Sequence, residues 1–439
     1  MASGSAASAA GLDVPTSAPA PLAATAARPT QLPHAASTAI SVPVPPGTTI
    51  DDQLGRPTLG WTDRLRAVRD RILMSRTFQR WSAIVPFTRP IARRRARAVF
   101  DLCAGFVYSQ TLGACLQLDL FGILRDGPLT LAALAARTGM PVEGMLRLLR
   151  AAASLRLVER RGTDGWALGA LGAPLATNGE LAAMVRHHGL LYEDLRDPVA
   201  VLRLAGATGA GEREAMAATT ALATYWPYAA TADPRTLNAE HVRSYSTLMT
   251  TTVPPVVAEV LDAYDFARHR AVLDVGGGEG EFAAAVATRH PRLDVALFDL
   301  PAVAERARTA LSSRGADAAR VQVHGGDFHA DALPSGADVV TLVRILLDHP
   351  DEAALALLRR IHTALPPGGR ILIAEPFAGA RGAEPVGDAY FGFYLLAMGR
   401  GRARTVPEHR ALLETAGFRR VRERPTRYAI QTGVLIADR

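Results

Sequence analysis

AVLDVGGGEG, residues 271–280, is the stretch on which the fold turns. An apolar run, Ala271, Val272 and Leu273, leads into Asp274 and then a glycine cluster at Gly276, Gly277, Gly278 and Gly280. Behind it, FAAAVATRHP (282–291) reads as a helix. A strand that passes through glycines into a helix brings bare backbone amides against a ligand. The dinucleotide fingerprint G-x-G-x-x-G fits at Gly276 and Gly278 but meets Glu281 at its last position. A triphosphate loop is excluded as well, since no Gly-Lys-Ser/Thr follows. The loop therefore suits a ligand with no phosphate to cradle.

In this it resembles the glycine loop typical of S-adenosylmethionine enzymes, and the chain downstream supports that choice. LDVALFDLP (293–301) reads as a second strand ending in Asp299, where a carboxylate can accept both hydroxyls of a ribose. VQVHGGDF (321–328) is a third, ending in Asp327 and Phe328, an acceptor and an aromatic face for an adenine. ADVVTLVRIL, RILIAEP, FRRVRERP and YAIQTGVLIAD supply further strands. Helical segments such as DEAALALLRRIHTAL alternate with them, the pattern of an α/β doubly wound sheet. Ligands of such sheets bind at the carboxyl ends of the strands, where these residues cluster. One acidic strand end is commonly a cap or a turn. Several in register behind a glycine loop are not.

At 439 residues the chain can hold two or three domains. Residues 1–60 are expected to be a disordered tail: Ala, Pro, Ser and Thr dominate, and Asp13 and Arg28 carry the charge of the first fifty. Residues 61–262 are expected to form a helical domain and residues 263–439 the cofactor-binding domain. No signal peptide or clean apolar run of about 20 residues stands out, so a soluble, cytosolic protein is expected. Cys103 and Cys115 read as reduced core thiols, and the 11 histidines show no metal spacing. The net charge of +7 is uneven, with Arg89, Arg93, Arg94, Arg95 and Arg97 crowded in one segment. That cluster is either a solvated helix face or a patch that visits an anionic membrane surface.

Residues 129–162 read as helix, turn, helix and a short β-wing, with Gly139, Met140 and Pro141 at the turn. That is the layout of a DNA-binding winged helix. The second helix argues against nucleic acid. It exposes Glu143, Gly144, Arg147 and Arg150 rather than the Asn, Gln, Ser and Arg that read base edges.

From about residue 61 onward the chain resembles the O-methyltransferase family of the caffeate, hydroxyindole and bacterial polyketide enzymes. DVGGGEG, FDLPAVAERA, GGDF, LLDHPDE and LPPGGRILIAEP carry the resemblance. It implies a class I S-adenosylmethionine methyltransferase sheet behind an N-terminal helical, winged-helix-containing dimerisation domain, and a homodimer. It implies cofactor contacts from Gly276, Gly278, Gly280, Asp299, Asp327, Phe328 and Arg344. The departure from the family concerns the base. The family's L-H-D-W-x-D-E carries a His that deprotonates a phenol, oriented by the Glu of an E-R-T segment. Here Leu347 stands at the His and Ala403 at the Glu. Asp348 and His349 remain as nearby polar groups; His349 is a proton acceptor or a structural cap.

Residues 78–110, TYWPYA, RILLDHPDE and GDAYFGFYLLAMGRGRART look more specifically like the carotenoid hydroxyl methyltransferases of purple photosynthetic bacteria. That likeness implies a hydrophobic acceptor, a tertiary alcohol of an acyclic carotenoid, and a cytoplasmic enzyme peripheral to the inner (photosynthetic) membrane. Tyr390, Phe391, Phe393 and Tyr394 then read either as core and dimer contacts or as the wall of a long apolar tunnel.

Overall fold

The computed structural model describes residues 60–206, 220–226, 228, 233–428 and 432–439. The expected tail lies outside them except for Gly60, as do Pro227 and Ala229 of TYWPYA. The chain divides between Arg97 and Ala98 into two compact units. In the first, helices α1 (Trp61–Met74) and α2 (Arg76–Ile84) precede the start of α3 (Arg89–Gln117). Ser75 separates α1 from α2, its hydroxyl accepting the Phe78 N–H at 3.3 Å, which caps the second helix.

The second unit begins inside α3. The sequence shows no clean apolar run, yet α3 spans 29 residues and contains a window with mean hydropathy 1.3, enough by length and composition to cross a membrane. Small residues interleaved with the bulky ones disguise it: between residues 98 and 117 Asp101 is the lone charged side chain. Cys115 is buried, and burial pushes its thiol up to about 12. Cys103 is exposed, which corrects the expectation of two core thiols. Twelve residues along a 3.6-residue helix leave the two about 120° apart around its axis.

The winged layout follows. Strand β1 (Leu129–Thr130), helices α4 (Leu131–Thr138) and α5 (Val142–Ser154) and strands β2 (Val158–Arg161) and β3 (Gly165–Leu168) give a small sheet in the order β1-β3-β2. Gly139 turns the chain between the helices at φ 66°. Helix α5 stops at Ser154, and just beyond it Arg156 takes a left-handed φ of 61°. Phe121, Leu134, Met145, Leu149 and Trp166 form the core beneath it. Arg147 on α5 is tied to Glu143 at 2.7 Å. Two longer helices lead to the large sheet, α6 (Gly179–Asp194) and α7 (Ala239–Thr252).

The large sheet has seven strands: β4 (Ala271–Val275), β5 (Asp294–Asp299), β6 (Gln322–Gly325), β7 (Val339–Val343), β8 (Arg370–Glu375), β9 (Arg419–Arg424) and β10 (Gly433–Asp438). Their order is β6-β5-β4-β7-β8-β10-β9. Pairing is parallel from β6 to β8, and β10 inserts antiparallel between β8 and β9. Val272 packs into one core and Leu273 into the other, so both faces of the sheet are covered. That is why these strands read as unbroken apolar runs. From β4 the chain winds outward to β5 and β6, then returns to place β7 on the other side of β4. Order reverses there, opening a crevice at the carboxyl ends of β4 and β7.

Candidate active site

The glycine loop leaves β4 into that crevice. Gly276 has φ 74°, and a Cβ there would lie 2.3 Å from Ile345 Cδ1, so only glycine fits. Its N–H donates to the Phe298 carbonyl at 2.8 Å. The Gly278 N–H donates to Asp299 Oδ2 at 2.8 Å, and that of Gly280 to the Gly277 carbonyl at 3.0 Å. Three of the loop's amides are thus spent on fastening it to itself and to β5. This agrees with a ligand that brings no phosphate for them to bind.

Beside the loop lies a half-open cavity, about 1090 Å³ with the solvent at its mouth included. Gly276, Gly278, Asp299, Asp327, Phe328 and Arg344 all line it, together with Asp348 and His349. Gly280 is not among the lining residues; it precedes helix α8 (Glu281–Arg289) in a left-handed turn against Leu311. Asp299 also accepts the Leu300 N–H at 2.7 Å, and burial lifts its carboxyl to about 6. Asp327 Oδ1 takes the His329 N–H at 2.8 Å, so this residue shapes its own turn as well as facing the cavity. Arg344 sits at φ 59° and reaches Thr252 Oγ1 on α7 at 3.1 Å.

Asp274 lines the cavity too, although in the sequence it shows only as a strand end. Thr341 donates to its Oδ1 at 2.8 Å, while Oδ2 is buried without a partner. Desolvation raises its carboxyl to about 7. An unpaired buried carboxylate oxygen is costly, and a cationic donor entering the cavity would satisfy it.

Asp348 and His349 are adjacent in sequence and face different neighbours. The His349 ring lies 5.5 Å from that of Phe328 and 4.9 Å from that of His329, and burial holds its pKa well below the usual histidine range. Asp348 Oδ2 accepts the Tyr228 hydroxyl at 2.9 Å. Burial raises the Asp348 carboxyl to about 6. The Arg400 guanidinium stacks over the Tyr228 ring at 5.2 Å.

A second, much smaller pocket shares Trp226, Met249, Arg344 and Asp348 with the first. Its remaining walls are Met184 of α6, Leu248, Leu347, Tyr390, Phe391 and the Tyr394, Leu395 and Met398 side chains of helix α9 (Gly392–Met398). Of the aromatic run, Tyr394 is core, with Tyr390 and Phe391 packed against it; these three line the pocket and Phe393 does not. The phenol groups of the wall are already matched. Tyr394 Oη bonds His187 Nε2 at 2.8 Å and accepts Trp226 Nε1–H at 3.0 Å, and Tyr390 Oη bonds His188 Nε2 at 2.8 Å. Buried against these rings, His187 falls to about 4. The His187-His188 pair thus serves the chamber wall.

The segment from Leu346 to Asp351 is held from behind by Arg404, a fully buried side chain. Its guanidinium donates to the carbonyls of Leu346 at 2.7 Å and His349 at 2.6 Å, and to Asp351 Oδ1 at 2.9 Å. Gly401 packs so close that a Cβ there would sit 2.1 Å from the Leu347 carbonyl oxygen. The Leu347 N–H is fixed by Glu375 Oε2 at 3.1 Å. Replacing Arg404 by methionine strands two carbonyls and should lower stability by about 3–5 kcal/mol. Urea unfolding followed by circular dichroism measures it; a loss below about 1 kcal/mol would show that the segment holds itself.

The pattern that defines the O-methyltransferase domain matches residues 223–419, and that of the O-methyltransferase dimerisation domain matches residues 100–178. The chain is 42% identical to the demethylspheroidene O-methyltransferase of Cereibacter sphaeroides over 80% of its own length and 89% of that protein. Identity to the enzyme of the same name from Rhodobacter capsulatus is 39%, over 84% and 88%. Among solved structures, human N-acetylserotonin methyltransferase in complex with S-adenosylmethionine superposes with a TM-score of 0.62 at 25% identity, covering 79% of this chain and 97% of that one.

Proposed function

We propose, on the premise that this chain belongs to the S-adenosylmethionine-dependent O-methyltransferase family, that its acceptor is the tertiary hydroxyl of an acyclic carotenoid. The observation that carries this reading is the apolar, aromatic chamber with Leu347 where the family places its base. The names of the two curated relatives support it.

S-adenosylmethionine is the cofactor, and it supplies a methyl group on a cationic sulfur. The residues present fit it. Asp299 would take the ribose hydroxyls, Phe328 and Asp327 the adenine, and the unpartnered Asp274 Oδ2 the ammonium end. A phenol ionises near pH 10, within reach of an imidazole of pKa about 6.5. A tertiary alkanol is several units weaker, so no imidazole ionises it in advance, and its proton must leave as the methyl group arrives. The chain's residues instead align the hydroxyl in a dry pocket, where position supplies much of the rate. Asp348 reaches both cavities, with Oδ2 held by Tyr228 and Oδ1 left to orient the hydroxyl. The hydroxyl proton turns strongly acidic as its oxygen gains the methyl group, and passes to that carboxylate.

Purified protein incubated with the cofactor, hydroxycarotenoids and phenols, with mass detection, tests the acceptor; turnover confined to phenols would defeat it. Leu347→His should cut carotenoid turnover by about tenfold, because it places a hydratable group in the dry chamber. Leu347→His with Ala403→Glu rebuilds the family's dyad and should favour phenols. A gain on the carotenoid would sink the mechanism.

A homodimer formed through residues 100–178 completes the reading. Leu102 and Phe106 of α3 are 84% and 70% exposed within one chain. Leu102→Asp with Phe106→Asp should yield a monomer in light scattering; an unaltered dimer would place the interface elsewhere.

A further inference from the structure

We infer that residues 61–97 form a docking unit for an anionic lipid surface. The segment holds eleven arginines against Asp63 and Asp70, a net charge of +9, so the rest of the chain sums to −2. That is a dense concentration of positive charge for 37 residues. Its apolar side chains are equally unusual. Helix α1 has no buried residue, and Trp61, Leu65, Val68 and Ile72 recur along one face at spacings of four, three and four. All four are exposed, as are Trp81 and Ile84 of α2, and Phe87 in the turn beyond is 91% exposed. In the whole segment Ser82 is the lone buried side chain. Arg64, Arg66, Arg69 and Arg71 flank the α1 stripe, Arg76 and Arg80 lie on α2, and Arg89, Arg93, Arg94, Arg95 and Arg97 follow Phe87.

Arginines interleaved with tryptophan, phenylalanine and aliphatic side chains on short helices match an interface that is anionic at its surface and apolar just beneath. A second copy of the chain suits this face less well. A two-fold interface sets a patch against itself, here +9 against +9. The dimerisation-domain match also begins at residue 100, beyond the segment. Nucleic acid would take the arginines and leave the apolar stripe in water. Charge and exposure alone favour lipid, whatever the identity of the methyl acceptor.

Sedimentation of the full chain with vesicles decides it. Phosphatidylglycerol-containing vesicles should carry the protein down at low salt and release it as salt rises, and phosphatidylcholine vesicles should carry far less. Substituting Arg89, Arg93, Arg94 and Arg95 together by glutamine should weaken the association by about a hundredfold or more. Trp81→Ser with Phe87→Ser should weaken it also, while methyl transfer to a detergent-dispersed acceptor is unchanged in both variants. Equal recovery with phosphatidylcholine, or full binding by the glutamine variant, overturns the inference. So does a Trp81→Ser, Phe87→Ser variant that keeps lipid binding and loses its dimer, or one that binds duplex DNA as tightly as the parent binds vesicles. The salt and lipid series on the unsubstituted protein separates these outcomes even where a variant fails to fold.

Discussion

Asp299→Ala should reduce S-adenosylmethionine affinity by at least about a hundredfold while the protein stays folded. Hydrogen bonds to a charged acceptor contribute about 1.5–3 kcal/mol each, and a ribose would place two on this carboxylate. The residue also fastens the glycine loop, since Oδ2 accepts the Gly278 N–H and Oδ1 that of Leu300. Alanine removes the ligand's acceptor and the loop's anchor together. Asp299→Asn keeps one acceptor oxygen and should lose less. Burial sets the carboxyl near 6 without cofactor, so the ionised form that accepts best is gained as pH rises through that value. Affinity should therefore climb from about pH 5, through the Asp299 value, and go on rising through the Asp274 value near 7 before it levels off. Titration calorimetry across that range is the measurement. Unchanged affinity in the alanine variant would remove Asp299 from the site, and a flat pH profile would show that neither carboxylate changes charge on binding.

The parts of this molecule that a sequence reveals are those enforced by the backbone or by burial on two faces. Gly276 is legible because no side chain fits against Ile345 at positive φ, and β8 because its central residues are all buried. Asp299 is legible because it ends a strand next to that loop. The second, smaller pocket is different. Leu347, Tyr390 and Tyr394 stand in segments the sequence marks out, but Met184 and Met249 join them from helices that carry no such signal. The Tyr228–Asp348 bond spans 120 positions, and the grip of Arg404 on the Leu346 and His349 carbonyls leaves no periodic trace. Asp274 stands in plain view, but its unpartnered oxygen exists only once Thr341 on the neighbouring strand has taken the other.

Asp348→Asn should lower kcat by roughly a hundred- to ten-thousandfold, the range for losing a positioned proton acceptor, with S-adenosylmethionine affinity nearly unchanged. Asparagine matches the shape and still accepts the Tyr228 hydroxyl at one oxygen, so the effect isolates the proton rather than the fold. Asp348 is favoured over His349 for this role on two counts. It faces both cavities, whereas His349 packs on Phe328 and His329 in the first. Its carboxyl lies near 6, raised first by burial, and is ionised at neutral pH and ready to accept. His349 is held far below the ordinary histidine range, which weakens it as a base. The sign for activity follows: kcat should rise with pH through about 6 as Asp348 ionises, then plateau, and the asparagine variant should show no such limb. Tyr228→Phe should shift the limb upward, because a hydroxyl donating to the carboxylate favours its charged form, and should cost less in kcat than loss of Asp348 itself. His349→Gln should leave the limb in place and act mainly on cofactor affinity. If His349→Gln removes the limb while Asp348→Asn keeps it, the proton goes to the imidazole and the assignment to Asp348 falls.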